Sequence, residues 1–170
     1  FVGTTKNPYL VTGTFPGSMA QEKLSLLQPC ISKKSITSDQ FGLMYASPNG
    51  LVAVGMGSQD VITNGLFTRD EWTALAPETM IGAIYNNMYI GFYKTDGVTK
   101  TIVIQRGDNP PLINLDADAS AVFIEHSSGS VFILSEFDNK IYELDADTVN
   151  NKLYEWKSKK FILPAPTNFA

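Results

Sequence analysis

The chain has 170 residues, of which 44% are hydrophobic and 18% charged, and its 13 Lys and Arg residues against 17 Asp and Glu residues give a formal net charge of −4. The apolar share is enough for a packed core, whereas an acidic chain is a poor electrostatic match for a phosphate backbone. A single cysteine and a single histidine exclude an internal disulfide, a Cys-rich zinc site and any site that needs two histidines from this chain. No apolar run approaches the roughly 18–20 residues that span a bilayer, so neither nucleic acid nor membrane is an expected partner.

Along the first part of the chain, residues 19–27 fit a short helix, with Met19, Leu24 and Leu27 on one side and Pro29 after its end. Cys30 follows, at the start of a predicted strand. A reactive thiolate needs a cationic or helix-terminal setting, and alternation along a strand does not bring the next lysines against the sulfur. Cys30 is therefore interpreted as a small buried hydrophobic side chain.

Short apolar segments rich in Val, Ile, Phe and Tyr, separated by turn residues, predict antiparallel hairpins over most of the remaining chain. The turns lie at residues 47–50, 86–87, 127–130 and 138–139. The pair at 86–87 is Asn-Asn, which tolerates positive φ and suits a two-residue hairpin turn. First strands of three hairpin groups begin near Leu43, Ala83 and Val122, which are 40 and 39 residues apart.

A recurrence of about 40–45 residues with four strands per unit is typical of propeller blades. Candidate blades cover residues 30–63, 81–115 and 121–157. Their predicted strands lie near 30–36, 43–46, 51–55 and 60–63, then 81–85, 88–94, 100–105 and 112–115, then 121–125, 130–135, 140–144 and 152–157. A twisted meander cannot bury both of its faces alone, so we expect the sheets to stack. The fold class is all-β, either a propeller-like stack of about three four-stranded antiparallel meanders with one short helix or a β-sandwich.

The short helix is predicted between the first two units. Thr68 and Glu71 form a capping box, in which each side chain bonds the other residue's backbone amide. Trp72 and Leu75 give the helix an apolar face, and Pro77 ends it. A helix this short must be held by packing.

The whole chain, residues 1–170, is expected to be a single all-β domain or a piece of a larger propeller. Phe1 is not a natural first residue, and no basic stretch followed by an apolar one marks a signal peptide. Three units are also fewer than the roughly 4–8 blades that close a ring.

The residues that could form catalytic, metal-binding or cofactor motifs all lie in or beside predicted turns. His126 enters the serine-containing turn at 127–130, and a general base there would need a nucleophile and an orienting carboxylate close in space. Serine is common in such turns whatever the function of the protein, so no catalytic residue is predicted. The glycine-rich stretches at 13–17 and 55–57 lack the remaining residues of phosphate-binding or dinucleotide-binding loops. No cofactor is predicted.

Two acidic stretches repeat each other, with Asp116 and Asp118 in the first and Asp145 and Asp147 in the second. Alternate aspartates offer oxygen ligands to Ca²⁺, but the glycine and terminal glutamate of a calcium loop are missing. Turn formation is the favoured interpretation, since Asp bonds its own backbone in turns, and no metal ligand is assigned.

Aromatic and basic side chains receive structural interpretations too. Aromatic residues within the predicted strands are expected to fill the space between sheets. They are Phe92, Tyr93, Phe123, Phe132 and Tyr142. The basic run at 157–160 fits a strand edge that uses lysine against aggregation better than it fits a nucleic-acid site.

Five segments come in a fixed order along the chain, at residues 8–13, 28–35, 45–54, 66–72 and 154–161. As an ordered series from about residue 8 to the C-terminus, they resemble part of the virion structural proteins of tailed bacteriophages and prophages, of a tail-associated, propeller-like kind. The order carries the resemblance, because each segment alone is common. The resemblance supplies no catalytic residues.

The resemblance implies a non-enzymatic structural component of a phage or prophage tail or virion that acts through protein–protein assembly. The expected partners are other virion or tail proteins and further copies of the chain, since repeated virion parts form symmetric rings. The expected location is the virion, and the bacterial cytoplasm during assembly. The alternative function is a propeller module that binds carbohydrate or a cell surface, which an exposed aromatic cluster over a shallow groove would favour.

Overall fold

A computed structural model describes residues 1–55, 58–106, 111–115 and 117–146 of the chain, and these residues are mostly β. An N-terminal ribbon pairs β1 (Tyr9–Thr12) with β2 (Ala20–Lys23). Sheet I contains β3 (Thr37–Asp39), β4 (Gly42–Ser47), β5 (Gly50–Gly55) and β6 (Gln59–Val61). Sheet II contains β7 (Ile81–Tyr85), β8 (Met88–Thr95), β9 (Val98–Gln105) and β10 (Leu112–Leu115). Sheet III contains β11 (Ala121–Ile124), β12 (Val131–Leu134) and β13 (Ile141–Glu143).

Each sheet is a meander in which strands that follow one another in sequence pair antiparallel. The prediction of an all-β fold is confirmed, and the strands of sheet II match the predicted ones closely. Asn86 and Asn87 both have positive φ, as the predicted two-residue turn between β7 and β8 requires. The predicted strand at 152–157 lies outside the described residues.

The first strand predicted for sheet I, at residues 30–36, is wrong. Residues Lys33–Ser35 form a 3₁₀ turn, and the strand follows at β3. The Ser35 hydroxyl donates to the Ser32 carbonyl over 2.7 Å and accepts from the amide of Ala46 over 2.8 Å. These bonds compete with strand pairing, as serine side chains do in turns.

The helix predicted at residues 19–27 is also wrong. Its first half is strand β2, which pairs with β1 from Tyr9 opposite Lys23 to Thr12 opposite Ala20. A helix of this length is marginal without a packed apolar face, and Leu24 and Leu27 differ in their surroundings, since Leu24 is buried and Leu27 is exposed. Pairing with β1 satisfies the backbone instead.

The predicted helix between sheets I and II is confirmed as α1 (Arg69–Ala74). Thr68 caps it, with the Glu71 amide donating to the Thr68 hydroxyl and the Thr68 amide donating to the Glu71 carboxylate. Trp72 is fully buried, and its indole Nε1 donates to the Ser47 carbonyl over 2.8 Å. This hydrogen bond connects α1 to the end of β4.

Three apolar clusters show that the ribbon and the three sheets are stacked in chain order. The ribbon and the segment after it cover one face of sheet I through Leu24, Cys30, Tyr45, Val52 and Val54. The other face of sheet I packs on sheet II through Met44, Ala46, Leu51, Trp72, Met80, Tyr89, Tyr93, Ile102 and Ile104. The far face of sheet II packs on sheet III through Ala83, Ile90, Phe92, Val103, Ala119, Val131 and Ile133.

Successive sheets meet along their first strands. Strand β7 contacts β3 on one side and β11 on the other. Polar contacts join the sheets as well: Arg106 of sheet II pairs with Asp39 of sheet I over 3.1 Å, and Lys94 of sheet II pairs with Glu136 after sheet III's second strand. The three sheets therefore form one connected stack in which the first strand of sheet II contacts the first strands of sheets I and III.

Candidate functional site

The three first strands line a groove of about 650 Å³. Its lining comes from β3 and the 3₁₀ turn before it, from the start of β7 and from the whole of β11, and includes Lys33, Lys34, Thr37, Gly82, Phe123 and His126. Each of these strands is an edge strand of its own sheet. Position 82 has no room for a side chain: a Cβ at Gly82 would lie 2.5 Å from the Ser35 carbonyl oxygen and 2.6 Å from the Tyr89 hydroxyl.

The sequence's one histidine lies at the end of this groove, in the turn after β11. The neighbouring Ser128 hydroxyl donates to the Glu125 carboxylate, and the Gly129 amide donates to the Glu125 carbonyl over 2.8 Å. Serine and carboxylate thus bond each other to close the turn, and the hydroxyl is not directed at the His126 imidazole. A general-base pair requires the opposite arrangement, in which the base accepts the nucleophile's proton.

Cys30 is buried, as the sequence predicted, beneath the N-terminal ribbon. Its thiol donates to the Ser32 carbonyl over 3.3 Å. Burial raises the pKa of the Cys30 thiol, which keeps it in the unreactive protonated form. Burial also raises the pKa of Tyr45 in the same cluster to about 12, and the Tyr45 hydroxyl donates to the Gln28 carbonyl.

The described aspartates of the acidic stretches accept hydrogen bonds from residues distant in the sequence, whereas the sequence interpretation expected each to bond its own turn. The Asp118 carboxylate accepts from the amides of Glu136 and Phe137, the latter over 3.0 Å, and from the Ser135 hydroxyl over 3.2 Å. Asp145 has positive φ and accepts from the Tyr85 hydroxyl over 3.2 Å. Asp116 and Asp147 lie outside the described residues. In the part of the chain that the structure covers, no three His, Cys, Asp or Glu side chains cluster closely enough to hold a metal ion.

Sheet III leaves one of its two faces uncovered among the described residues. In the strand register, Phe123 lies opposite Phe132 and Ala121 opposite Leu134, and the next strand places Ile141 opposite Leu134. Phe123 is 64% exposed and Ile141 is 72% exposed, and the two phenylalanine rings lie 6.4 Å apart. We call this surface the open face; it consists of Ala121, Phe123, Phe132, Leu134, Ile141 and Glu143. It holds an apolar depression of about 450 Å³.

The open face is the feature that sequence reasoning missed. The interpretation of the strand aromatics as filling between sheets is right for Phe92 and Tyr93, which are buried, and wrong for Phe123 and Tyr142, which are exposed. The signal was present, because β11 and β12 are apolar at every position and strands of that kind are covered on both faces. The sequence pattern indicates that both faces of these strands should be covered, but it does not identify what covers the second face.

No protein-family model matches the chain, and the search of curated proteins gives no match either. Within the described ranges, no helix has the length and apolar character that crossing a bilayer requires.

Proposed function

We propose that the protein is a non-enzymatic structural module that works through protein–protein assembly, as a component of a phage or prophage tail or virion. The observation that carries the assembly role is the open face, whose exposed aromatic and aliphatic side chains form one continuous apolar surface. Contiguous exposed apolar surfaces of this kind mark interaction sites. The ordered sequence segments described above support the phage assignment.

We further propose that sheets I, II and III are successive blades of a propeller. Blades meet at their innermost strands and diverge towards their outermost ones, so contacts should run from first strand to first strand. Strands β3, β7 and β11 contact one another in this order. On this interpretation, the groove along these strands faces the propeller axis.

The role proposed for the groove is structural. Its charged side chains are not arranged as nucleophile and base, because Ser128 is bonded to Glu125. On the open face, Phe123 is exposed beside a shallow depression, but the side chains that line this depression are all apolar and cannot bond sugar hydroxyls. The alternative of a carbohydrate-binding module is therefore less well supported by the described residues. Trp72, the tryptophan among them, is fully buried and so cannot offer a ring for a sugar to stack on.

Particle composition tests this function directly. Phage or prophage particles from the bacterium that carries the gene would be purified by density gradient and probed with an antibody against this chain. We expect the chain to co-sediment with intact particles. A chain that is abundant in the lysate and missing from purified particles would contradict the virion assignment.

A further inference from the structure

The stack has a second exposed apolar surface, at the end opposite the open face. On β1, Leu10 points towards sheet I and packs in the cluster beneath the ribbon. Its neighbours Tyr9 and Val11 therefore lie on the outward side, because side chains alternate along a strand. Val2 joins them there, since it exchanges two backbone hydrogen bonds with Tyr9.

This outward side of the ribbon is the N-terminal face; it consists of Val2, Tyr9, Val11, Gln21 and Lys23. Gln21 and Lys23 belong to it because they lie opposite Val11 and Tyr9 in the register. Val2 is 47% exposed and Val11 is 38% exposed. The N-terminal face is thus an apolar stripe that carries a lysine.

The two ends of the stack also differ in charge. Residues 1–35 carry four lysines against one glutamate; Lys33 and Lys34 of these line the groove, and Lys23 lies on the N-terminal face. Residues 117–146 carry six Asp and Glu residues against one lysine. In the register, Glu143 lies on the open face and Lys23 on the N-terminal face. The open face therefore carries one carboxylate and the N-terminal face carries one lysine, so docking one face on the other pairs opposite charges.

We propose that the partner of the open face is a second copy of this chain, which docks through its N-terminal face. This inference rests on the proposed assembly function and names the partner of that same surface. The contact continues the order already present in the stack, in which the N-terminal ribbon covers sheet I and each sheet is covered by the next. It is a head-to-tail contact, which generates a ring or a filament and not a closed pair.

Charge favours this arrangement over a symmetric pairing of two open faces. A symmetric pair would bring the acidic ends of both copies together, with Glu143 of each copy at the same interface. Like charges across an interface are unfavourable, and they select against wrong partners. Head-to-tail docking instead brings Glu143 of one copy to the same interface as Lys23 of the next.

Two variants, each disabling one face, provide the test. Val11→Glu places a charge on the N-terminal face, and Phe123→Glu places one on the open face. Val98→Glu is the matched control, because Val98 is an exposed apolar residue of β9 that belongs to neither face. Circular dichroism would verify that each full-length variant is folded, and Ile141→Glu replaces Phe123→Glu if that variant is not.

Sedimentation velocity gives the decisive readout. We expect the wild-type chain and Val98→Glu to associate increasingly with concentration, and each single-face variant to remain monomeric. An equimolar mixture of Val11→Glu and Phe123→Glu should form a dimer that does not grow, because each partner keeps one intact face. Association of Val11→Glu by itself would show that open faces pair with each other and would overturn the proposal.

Charge-reversal variants test whether Lys23 and Glu143 meet at the interface. Lys23→Glu alone and Glu143→Lys alone should each weaken association about tenfold, the size expected of a lost interfacial charge pair. The mixture of the two should recover affinity at the contact where the reversed charges meet. A wild-type chain that stays monomeric at every concentration would contradict the proposal, and would show that something other than a second copy covers the open face.

The failure of this inference can be told from the failure of the proposed function. A monomeric chain that is nevertheless present in purified particles would refute head-to-tail docking and leave the virion role intact. A chain that forms head-to-tail oligomers and is missing from particles would do the reverse.

Discussion

Sheets II and III both contain strongly apolar strands, but they differ in the layers that cover them. Both contain strands that are apolar on both faces. Sheet II is covered by sheet I on one side and by sheet III on the other, so β8 is buried over most of its length. Among the residues that the structure describes, sheet III is covered on one side only, and β13 is exposed throughout. The comparison shows that a two-sided apolar strand indicates a stack, while the position of the strand in the stack decides whether its apolar side chains are buried or exposed.

The largest expected effect comes from truncating one phenylalanine in each of the two sheets. Phe92→Ala should lower the free energy of unfolding by about 3–5 kcal/mol, because it opens a cavity between sheets II and III. Phe123→Ala should change it by less than about 1 kcal/mol in the monomer, because the ring is mostly exposed. Urea unfolding at low protein concentration measures both.

The same pair separates stability from association. Phe123→Ala should weaken the self-association proposed above, whereas a folded variant at Phe92 should not act on it directly. A loss of several kcal/mol for Phe123→Ala in dilute, monomeric protein would mean that the open face is covered within a single chain.

Gly82 sharpens the comparison at the junction of sheets I and II. Gly82→Ala should cost about 1–3 kcal/mol, because the added methyl group meets the Ser35 carbonyl oxygen and overpacking costs this much. Gly17→Ala is the control, since its nearest neighbour would be the Phe15 side chain at 3.5 Å and the change should stay within about 0.5 kcal/mol. Equal effects of the two substitutions in thermal unfolding would argue against tight contact between the first strands.

Local chemistry made much of this fold predictable from sequence. Thr68 and Glu71 fix the start of α1 because capping depends on residues three apart. Asn86 and Asn87 fix the turn of sheet II because few residues accept positive φ at both positions. Contacts within a few residues decide both features.

The sequence-based predictions are wrong where contacts with residues distant in the sequence determine the local structure. Ser35 bends the chain because its hydroxyl accepts from Ala46, eleven positions away. Strand β2 forms because β1 lies beside it. Likewise, the alternation in β11 assigns Phe123 to one face of the sheet, but the exposure of that face depends on the next layer of the stack.

A smaller effect is expected at the turn between β12 and β13. Asp118→Ala should destabilise the protein by about 1–2 kcal/mol, because the amides of Glu136 and Phe137 lose a charged acceptor. Hydrogen exchange should accelerate at those two amides while β8 stays protected. Asp118→Asn keeps one oxygen acceptor and should fall between wild type and alanine, and unchanged exchange in the alanine variant would contradict the clamping role.

The smallest effect is a pH dependence at the link between sheets II and III. Hydrogen bonds from Lys94 and Thr99 lower the pKa of Glu136 below its usual 4.5. A carboxylate whose pKa is lower in the folded state than in the unfolded chain contributes stability above its usual pKa and loses it as the pH falls through the folded value. Acidification through that range should therefore loosen sheet III before sheet II.

Comparing two glutamine variants isolates this contribution. We call the fall of the melting temperature at low pH the acid limb. Glu136→Gln should make this fall slightly less steep, because the titrating partner of Lys94 is gone. Glu78→Gln, at an exposed position in the 3₁₀ turn Pro77–Thr79, serves as the control and should leave the limb unchanged. The change should be small, because both partners of the ion pair are largely exposed and solvent screens them. Acid limbs that coincide for wild type and Glu136→Gln would mean that the ionisation of Glu136 does not stabilise the contact between sheets II and III.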